Sequence, residues 1–234
     1  MSKAAPAVDW REARRRAARD TIVDAAWTLV ATEGLAGLSL RDLARRAGIT
    51  TPTVYAYFES KNAIYDAMFG RAATQFADRM SEPYRSGDPR RVLIERTHRF
   101  VEFCVDDVPR YQLLFQRTLP GFEPSPEAYA PSQRAYESLK ECLALGGITD
   151  PRHVDLSTAV TTGLVDQQIS NDPGGDRWTR LIEDCVTMVL DHCRPRRPKG
   201  RARPRPDDTG PRPDDTRRRP DNTHPIPDDK GVRS

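Results

Sequence analysis

The chain has 234 residues, of which 37 are basic and 34 acidic, so its net charge of +3 hides an uneven distribution. Residues 1–61 carry a net charge of +3, residues 62–193 carry −6 and residues 194–234 carry +6. No uncharged run exceeds the 12 residues from Ala47 to Phe58, whereas a membrane-spanning helix needs roughly 20 apolar residues, so we expect no membrane span.

The N-terminal segment and the cysteines indicate a cytoplasmic protein. Met1–Trp10 lacks the apolar stretch of a secretory signal, so we expect no export. The cysteines lie far apart and form no C-x-x-C pair, which favours inert thiols in a reducing compartment. They are Cys104, Cys142, Cys185 and Cys193.

Almost every periodic segment of the chain predicts an α-helix. In the first segment, Ile22, Ala25, Ala26, Leu29 and Val30 recur at the spacing of one buried helical stripe. Because no segment shows the sustained two-residue alternation of a strand, we predict an all-α fold. The predicted helices are Trp10–Glu33, Leu40–Ala47, Thr51–Phe58, Lys61–Met80, Pro89–Asp106, Pro109–Arg117, Ser125–Leu145, Pro151–Ser170 and Asp176–Cys193.

The second and third predicted helices are joined by a tight turn. Ser39 is a suitable N-cap for the second helix, and Gly48 ends it. Thr50 or Thr51 can cap the third helix, in whose first turn Pro52 sacrifices no hydrogen bond. This is the pattern of a helix-turn-helix, whose second helix lies in the DNA major groove. Five apolar residues can form its core: Leu43, Ala47, Ile49, Val54 and Phe58.

The residues of this motif resemble a known family in detail. The stretch from Gly34 to Lys61, GLAGLSLRDLARRAGITTPTVYAYFESK, strongly resembles the DNA-binding domain of TetR-family (TetR/AcrR) transcriptional regulators. Its most specific part is the Y-x-Y-F-x-S-K ending from Tyr55, and the close resemblance covers about residues 14–70. The resemblance implies an N-terminal three-helix helix-turn-helix domain, a C-terminal helical ligand-binding and dimerisation domain, and a homodimer on a palindromic operator.

Specific residues of the motif are predicted to bind double-stranded DNA. Thr51, Pro52 and Thr53 stand at the N-terminus of the recognition helix, the end that reaches base edges. Threonine can hydrogen-bond to bases or pack its methyl group on thymine, whereas Pro52 offers only apolar contact. Since the family usually has a basic residue and a glycine at positions 51 and 52, we expect a less polar readout. The predicted DNA-binding residues are Ser39, Arg41, Thr50, Thr51, Pro52, Thr53, Tyr55, Tyr57 and Lys61.

The flanking members of this set are predicted to hold phosphates. Tyr55 and Tyr57 look like the family's phosphate-contacting aromatics, although Tyr55 has a packing role as its alternative. Lys61 adds a cation to a helix N-terminus that faces phosphate. Ser39 and Arg41 open the second helix and should also contact the DNA backbone.

A basic segment precedes the motif and has two interpretations. Its arginines form either a solvated helix face or an arm that lies near DNA phosphates, and their position beside the motif favours the arm. Arg45 and Arg46 are equally compatible with solvent and with DNA. The basic segment contains Arg11, Arg14, Arg15, Arg16 and Arg19.

The acidic segment 62–193 repels DNA and predicts another role. Its aromatic residues recur at helical spacing, which is typical of core packing, but in the resembled family the middle helices enclose a ligand cavity. A small-molecule effector is therefore expected as a partner. The candidate ligand-binding residues are Phe100, Phe103, Cys104, Tyr111, Phe115, Thr161, Thr162 and Gln167.

The resemblance also implies a homodimer through the last two helices. A two-fold symmetric protein fits a palindromic site. The apolar positions of these helices are compatible with both core and interface, and the sequence does not separate the two. They include Val160, Leu164, Leu181, Val186, Val189 and Leu190.

No motif of enzyme chemistry was found. Phosphate-binding glycine loops, a nucleophile elbow and His-x-x-x-His are absent, and His98, His153 and His192 are isolated. We therefore expect no catalytic residues, no cofactor and no metal.

The segment 194–234 repeats an R-P-D-D-T unit every seven residues. It has few apolar side chains to bury, so we expect a disordered tail. It is either a solubilising extension or a weak, nonspecific DNA tether.

The predicted organisation is a DNA-binding domain at residues 1–61 with a basic arm at 1–19, a ligand-binding and dimerisation domain at 62–193, and the tail at 194–234. We predict a ligand-responsive transcriptional regulator, a repressor released from its operator by a small molecule. The alternatives are an activator on the same scaffold, an architectural DNA-binding protein, and a helical enzyme or binding protein with an incidental helix-turn-helix.

Overall fold

The computed structural model describes residues 10–193, and this part of the chain is helical with no β-strand. The predicted all-α fold is confirmed. The first nine residues of the predicted arm and the predicted tail lie outside the described residues. The helices are α1 (Trp10–Glu33), α2 (Leu40–Arg46), α3 (Thr51–Tyr57), α4 (Lys61–Ser81), α5 (Pro89–Asp106), α6 (Val108–Phe115), α7 (Pro126–Leu145), α8 (Pro151–Asn171) and α9 (Ile182–Cys193), with a 3₁₀ turn at Thr179–Leu181.

Four of the helices begin with the same local device. A serine or aspartate accepts a hydrogen bond from the backbone N–H two or three residues ahead, and a proline occupies the first turn. Proline is suited to this turn because the backbone N–H groups there have no partner within the helix. Local sequence therefore sets the starts of α5, α6, α7 and α8, through the capping side chains of Asp88, Asp107, Ser125 and Asp150.

The last helix begins later than predicted, at Ile182 rather than Asp176. The buried side chain of Gln168 holds the preceding loop away from helical geometry. Its amide nitrogen donates to the Gly175 carbonyl at 3.0 Å, and its amide oxygen accepts from the Trp178 N–H at 3.0 Å. This tertiary bonding satisfies backbone groups that a longer helix would have used.

The described residues form two main cores. The first joins α1–α3 to the N-terminal half of α4, and the second joins α5–α9. The prediction for the motif core is confirmed: Leu43, Val54 and Phe58 are buried, and Ala47 and Ile49 pack against them.

Helices α4 and α7 cross closely, which connects the two cores. A Cβ atom at Gly70 would lie 3.4 Å from the Cα atom of Ala128. At the start of α7, the N–H of Ser125 donates to the carboxylate of Asp66 at 2.6 Å. Among the described residues, no helix is long and apolar enough to cross a membrane.

Candidate nucleic-acid interface

The starts of α2 and α3 and the turn between them are held by short-range hydrogen bonds. Ser39 Oγ accepts from the Asp42 N–H, and Thr50 Oγ1 accepts from the Thr53 N–H, both at 3.4 Å. Gly48 has a φ of +69°, a left-handed conformation that glycine adopts without steric cost. The Ile49 N–H then reaches back to the Ala44 carbonyl at 3.0 Å. The orientation of α3 on α2 is therefore fixed by caps and by one glycine.

Helix α3 has one buried side and one open side. Val54 is fully buried against α1 and α2, whereas Pro52 and Tyr55 are exposed and Thr51 and Thr53 are half-buried. Tyr55 is 52% exposed, so it contributes little to the core. The structure thus brings the predicted residues of α3 together on a surface that remains accessible.

The predicted residues of α2 border this surface. Arg41 is exposed in the first turn of α2, and Ser39 is half-buried as its cap. Arg45 pairs with Asp42 at 2.8 Å, an exposed pair along α2 itself.

Arg19 fixes the other end of α3, a role that the sequence did not reveal. Its guanidinium donates to the Tyr57 carbonyl and lies 4.0 Å from the centre of the Phe58 ring. A cation at a helix C-terminus also stabilises the exposed carbonyl groups there. Arg15, one turn earlier, lies 5.9 Å from the centre of the Tyr57 ring. Arg15 lines a shallow basic groove between α1 and α3, together with Trp10, Arg11, Arg14 and Pro52.

Lys61 lies at the start of α4 and contacts the loop before α2. Its Nζ donates to the Ala36 carbonyl at 3.5 Å and lies 5.5 Å from the centre of the Tyr65 ring. The Tyr65 hydroxyl donates to the Leu35 carbonyl, and burial raises the pKa of this phenol to about 12. Lys61 is half-buried and so combines a structural contact with partial access to solvent.

A cavity of about 260 Å³ lies between α4, α5, α6, α7 and α8. Among the predicted ligand-binding residues, Phe100, Phe115, Thr161 and Thr162 line it. The other four lie elsewhere. Cys104 and Tyr111 are fully buried in the second core, Phe103 packs against Phe76 at 5.2 Å, and Gln167 is exposed and accepts a hydrogen bond from Asn171.

Tyr111 and Cys104 surround a carboxylate of α8. Asp166 accepts from the Tyr111 hydroxyl at 2.7 Å and from the Gln116 amide at 2.9 Å. Burial, followed by the Asp166 hydrogen bond, raises the pKa of Tyr111, so the phenol stays protonated and acts as the donor. Burial also raises the pKa of the Cys104 thiol, which makes it unreactive.

Two further arginines connect the helices around the cavity to α1. Arg110 of α6 lies between the Trp27 ring of α1 and the Phe103 ring, with its Cζ atom 5.8 Å and 5.4 Å from their centres. Arg71 of α4 pairs with Asp20 of α1 at 2.7 Å and also with the neighbouring Asp24. Because the α1 partners of both arginines lie more than 40 residues away in sequence, no local pattern predicts them.

Comparison of the sequence with known proteins matches part of the chain. Residues 22–68 match the sequence model for bacterial regulatory proteins of the tetR family. The tetracycline repressor protein class D of Escherichia coli is 40% identical over 50 residues, which are 21% of this chain and 23% of the relative. An uncharacterized HTH-type transcriptional regulator of Bacillus subtilis is 28% identical over 93 residues, 39% of this chain and 48% of the relative. The chain thus spans from a quarter to a half of these curated relatives.

Solved structures match over a greater length. A TetR-family transcription regulator from Marinobacter aquaeolei is 22% identical with a TM-score of 0.58, covering 77% of this chain and 97% of its own. The transcriptional regulator FadR of Bacillus subtilis, in complex with stearoyl-CoA, is 20% identical with a TM-score of 0.58, covering 73% of this chain and 97% of its own. At such identities these likenesses show the fold of the described helices.

Proposed function

The chain belongs to the TetR family of bacterial regulatory proteins, and we propose that it is a DNA-binding transcriptional repressor that a small molecule releases from a palindromic operator. The observation that carries this proposal is the accessible side of α3, where Pro52 and Tyr55 are exposed and Thr51 and Thr53 are half-buried, whereas Val54 is buried. In this proposal residues 1–61 bind DNA, and residues 62–193 bind the effector and dimerise.

The exposed side of α3 reads the operator. Thr51 and Thr53 offer hydroxyl and methyl groups to base edges, and Pro52 adds an apolar contact. Tyr55 and Tyr57 contact phosphates, as do Arg41 and Lys61. Phosphate contacts fix the register of the protein on DNA, whereas the threonines supply sequence preference.

The proposed homodimer uses the outer side of α8 and α9. Leu164, Val189 and Leu190 are buried within a single chain, so they belong to its core. By contrast, Leu156 of α8 is 38% exposed and Met188 of α9 is 56% exposed. These two side chains offer the apolar contacts that a partner copy would cover.

The effector signal is proposed to pass through α6. Leu114 and Phe115 line the cavity, whereas Leu113 packs in the first core and Arg110 stacks on Trp27 of α1. A ligand that displaces α6 would therefore also move α1, and with it the start of α4. Such coupling needs different ligand affinities in two states, typically differing by about 1–3 kcal/mol.

Operator binding by the full chain is the direct test. Fluorescence anisotropy with labelled DNA from beside its own gene, at about 0.15 M salt, should show saturable binding that a scrambled duplex of equal length does not reproduce. Equal affinity for both duplexes would instead indicate an architectural DNA-binding protein, and no binding to either would refute the proposal. A gene-expression assay with the gene deleted separates repressor from activator.

A further inference from the structure

Two arginines of α5 are buried to nearly the same extent but have different partners. Arg96 and Arg99 are 5% and 7% exposed. Arg99 pairs with the Glu95 carboxylate at 2.7 Å and so has a counter-charge. Within residues 10–193, Arg96 forms no ion pair. Its nitrogens donate to neutral oxygens: the Ala135 and Met80 carbonyls at 3.0 and 3.4 Å, the Tyr84 hydroxyl at 3.0 Å and Ser138 Oγ at 3.2 Å.

A buried charge without a counter-charge is unfavourable in a folded protein. A guanidinium cannot lose its proton at neutral pH, and it carries five N–H donors in a rigid fork. Neutral acceptors satisfy hydrogen bonds but leave the positive charge uncompensated. Arg96 lines the cavity, so an occupant of the cavity can supply the missing negative charge. A carboxylate fits the guanidinium fork through two parallel hydrogen bonds.

Two hydroxyl groups of the lining do not compete for this role. Thr97 donates to the Leu93 carbonyl at 2.8 Å, and Thr161 donates to the Ser157 carbonyl at 2.8 Å. Because their hydrogens are used within their own helices, these threonines face the cavity as acceptors. The guanidinium is thus the charged donor group of a lining that is otherwise mainly apolar.

The apolar part of the lining is built from aromatic rings. Phe76, Phe100 and Phe115 contact one another edge to face, with ring centres 5.2 to 6.0 Å apart. Aromatic rings favour this geometry, and a further ring can extend the cluster in the same way. Phe100 lies one helical turn after Arg96, so their Cβ atoms are about 6 Å apart. A ligand with its ring and its acid group separated by a short spacer matches that distance.

The size of the cavity limits the ligand. Its volume of about 260 Å³ lies just below the roughly 300–1,000 Å³ that is typical of small-molecule pockets, which favours a small ligand. We propose that the cavity binds a small carboxylic acid with an aromatic body, with its carboxylate on Arg96 and its ring among the three phenylalanines. The proposal rests on the proposed function in one respect, that this cavity is the effector site.

A matched pair of ligands tests the charge directly. Isothermal titration calorimetry of the full chain at pH 7 would compare 3-phenylpropanoate with 3-phenylpropanamide, which has the same size and shape but no charge. We expect the acid to bind at least about tenfold more tightly than the amide. In Arg96→Met this preference should disappear, whereas Arg90→Met, which removes an exposed cation from the same helix, should keep it.

Each outcome has a distinct meaning. Equal binding of acid and amide to the unaltered chain, or no binding of either at millimolar concentration, would overturn the proposal even if Arg96→Met fails to fold. Operator binding measured without ligand tests the proposed function separately. If the chain binds its operator but shows no preference for the acid, the inference about Arg96 fails and the proposed repressor stands. If the acid is preferred but no DNA is bound, the inference about Arg96 stands and the proposed repressor fails.

Discussion

The helix-turn-helix end and the cavity end of the chain place their functional groups in opposite ways. In α3 the polar and aromatic groups stand outside, and only the packing side chain Val54 is buried. At the cavity the rings of Phe76, Phe100 and Phe115 contact one another, and the charged Arg96 is buried in the same lining. A surface that meets a large rigid partner must be exposed beforehand, whereas a site for a small molecule gains selectivity by surrounding it.

The same contrast appears in the comparisons. Similarity to a curated relative reaches 40% identity over 50 residues, and the family model matches residues 22–68, whereas the solved structures that match 73–77% of this chain have only 20–22% identity. In the proposed function the first region presents a short helix to B-form DNA. The second region shares its fold with proteins of only 20–22% identity, so the chemistry of its cavity must be inferred from this chain's own residues.

The largest predicted effect is that of a substitution on α3, which should weaken operator binding but not effector binding. Tyr55→Ala should weaken operator binding about a hundredfold, since each half-site of a homodimer loses about 1.5 kcal/mol of phosphate contact. It should leave effector binding unchanged because Tyr55 lies on α3, away from the cavity lining. Fluorescence anisotropy and calorimetry would measure the two affinities.

Tyr136→Ala is the matched control. Tyr136 is exposed to a similar degree, 44% against 52% for Tyr55, but it lines the cavity. This substitution should weaken effector binding and preserve operator binding in the absence of effector. If both variants lost DNA binding equally, the division into a reading end and a sensing end would be wrong.

A smaller effect is expected at the proposed dimer interface. Met188→Glu would place two like charges on a two-fold symmetric interface, and we expect the dimer dissociation constant to rise about thirtyfold. Analytical ultracentrifugation over a dilution series measures this change. Leu145→Glu is the control, because Leu145 is 63% exposed but lies at the end of α7. An unchanged constant for Met188→Glu would place the interface elsewhere.

Features that depend on local sequence were predictable. The bounds of α1 and the starts of α2, α3 and α4 follow from caps, glycines and apolar spacing, and the structure agrees with them. The exposure of Pro52 and Tyr55 follows from helical periodicity once Val54 is assigned to the core. Local rules suffice there because each cap bonds to an N–H two or three residues away.

Features that depend on distant partners were not predictable. Gln167, the predicted residue, is exposed, whereas Gln168 is buried and bonds to the backbone of the loop before α9. Helix α9 therefore begins later than its sequence predicts. Arg19 and Arg96 both lie in helical segments, yet Arg19 binds the last carbonyl group of α3 and Arg96 lines the cavity. A helical pattern in the sequence does not indicate which backbone carbonyl groups of another helix will lie near a given side chain.

The smallest predicted effect concerns Tyr65, whose hydroxyl bonds to the loop between α1 and α2. Burial raises the pKa of Tyr65 to about 12, whereas a tyrosine in the unfolded chain ionises near pH 10. Between these values the unfolded state loses its proton and the folded state keeps it, so the stability contributed by the neutral phenol falls as pH rises. We expect a loss of about 1 kcal/mol at pH 11 relative to pH 8 from this group.

Tyr65→Phe isolates that contribution, since all other titrations are shared by the two proteins. At pH 8 the variant should be less stable by about 1 kcal/mol, because it lacks the hydrogen bond to the Leu35 carbonyl. As the pH rises to 11 the difference in the free energy of unfolding should shrink, since only the unaltered chain has a phenol to ionise at this position. Urea titrations at pH 8, 9, 10 and 11 measure this difference. A gap that stays constant over the series would mean that Tyr65 ionises alike in both states, and that the α1–α2 loop leaves it open to water.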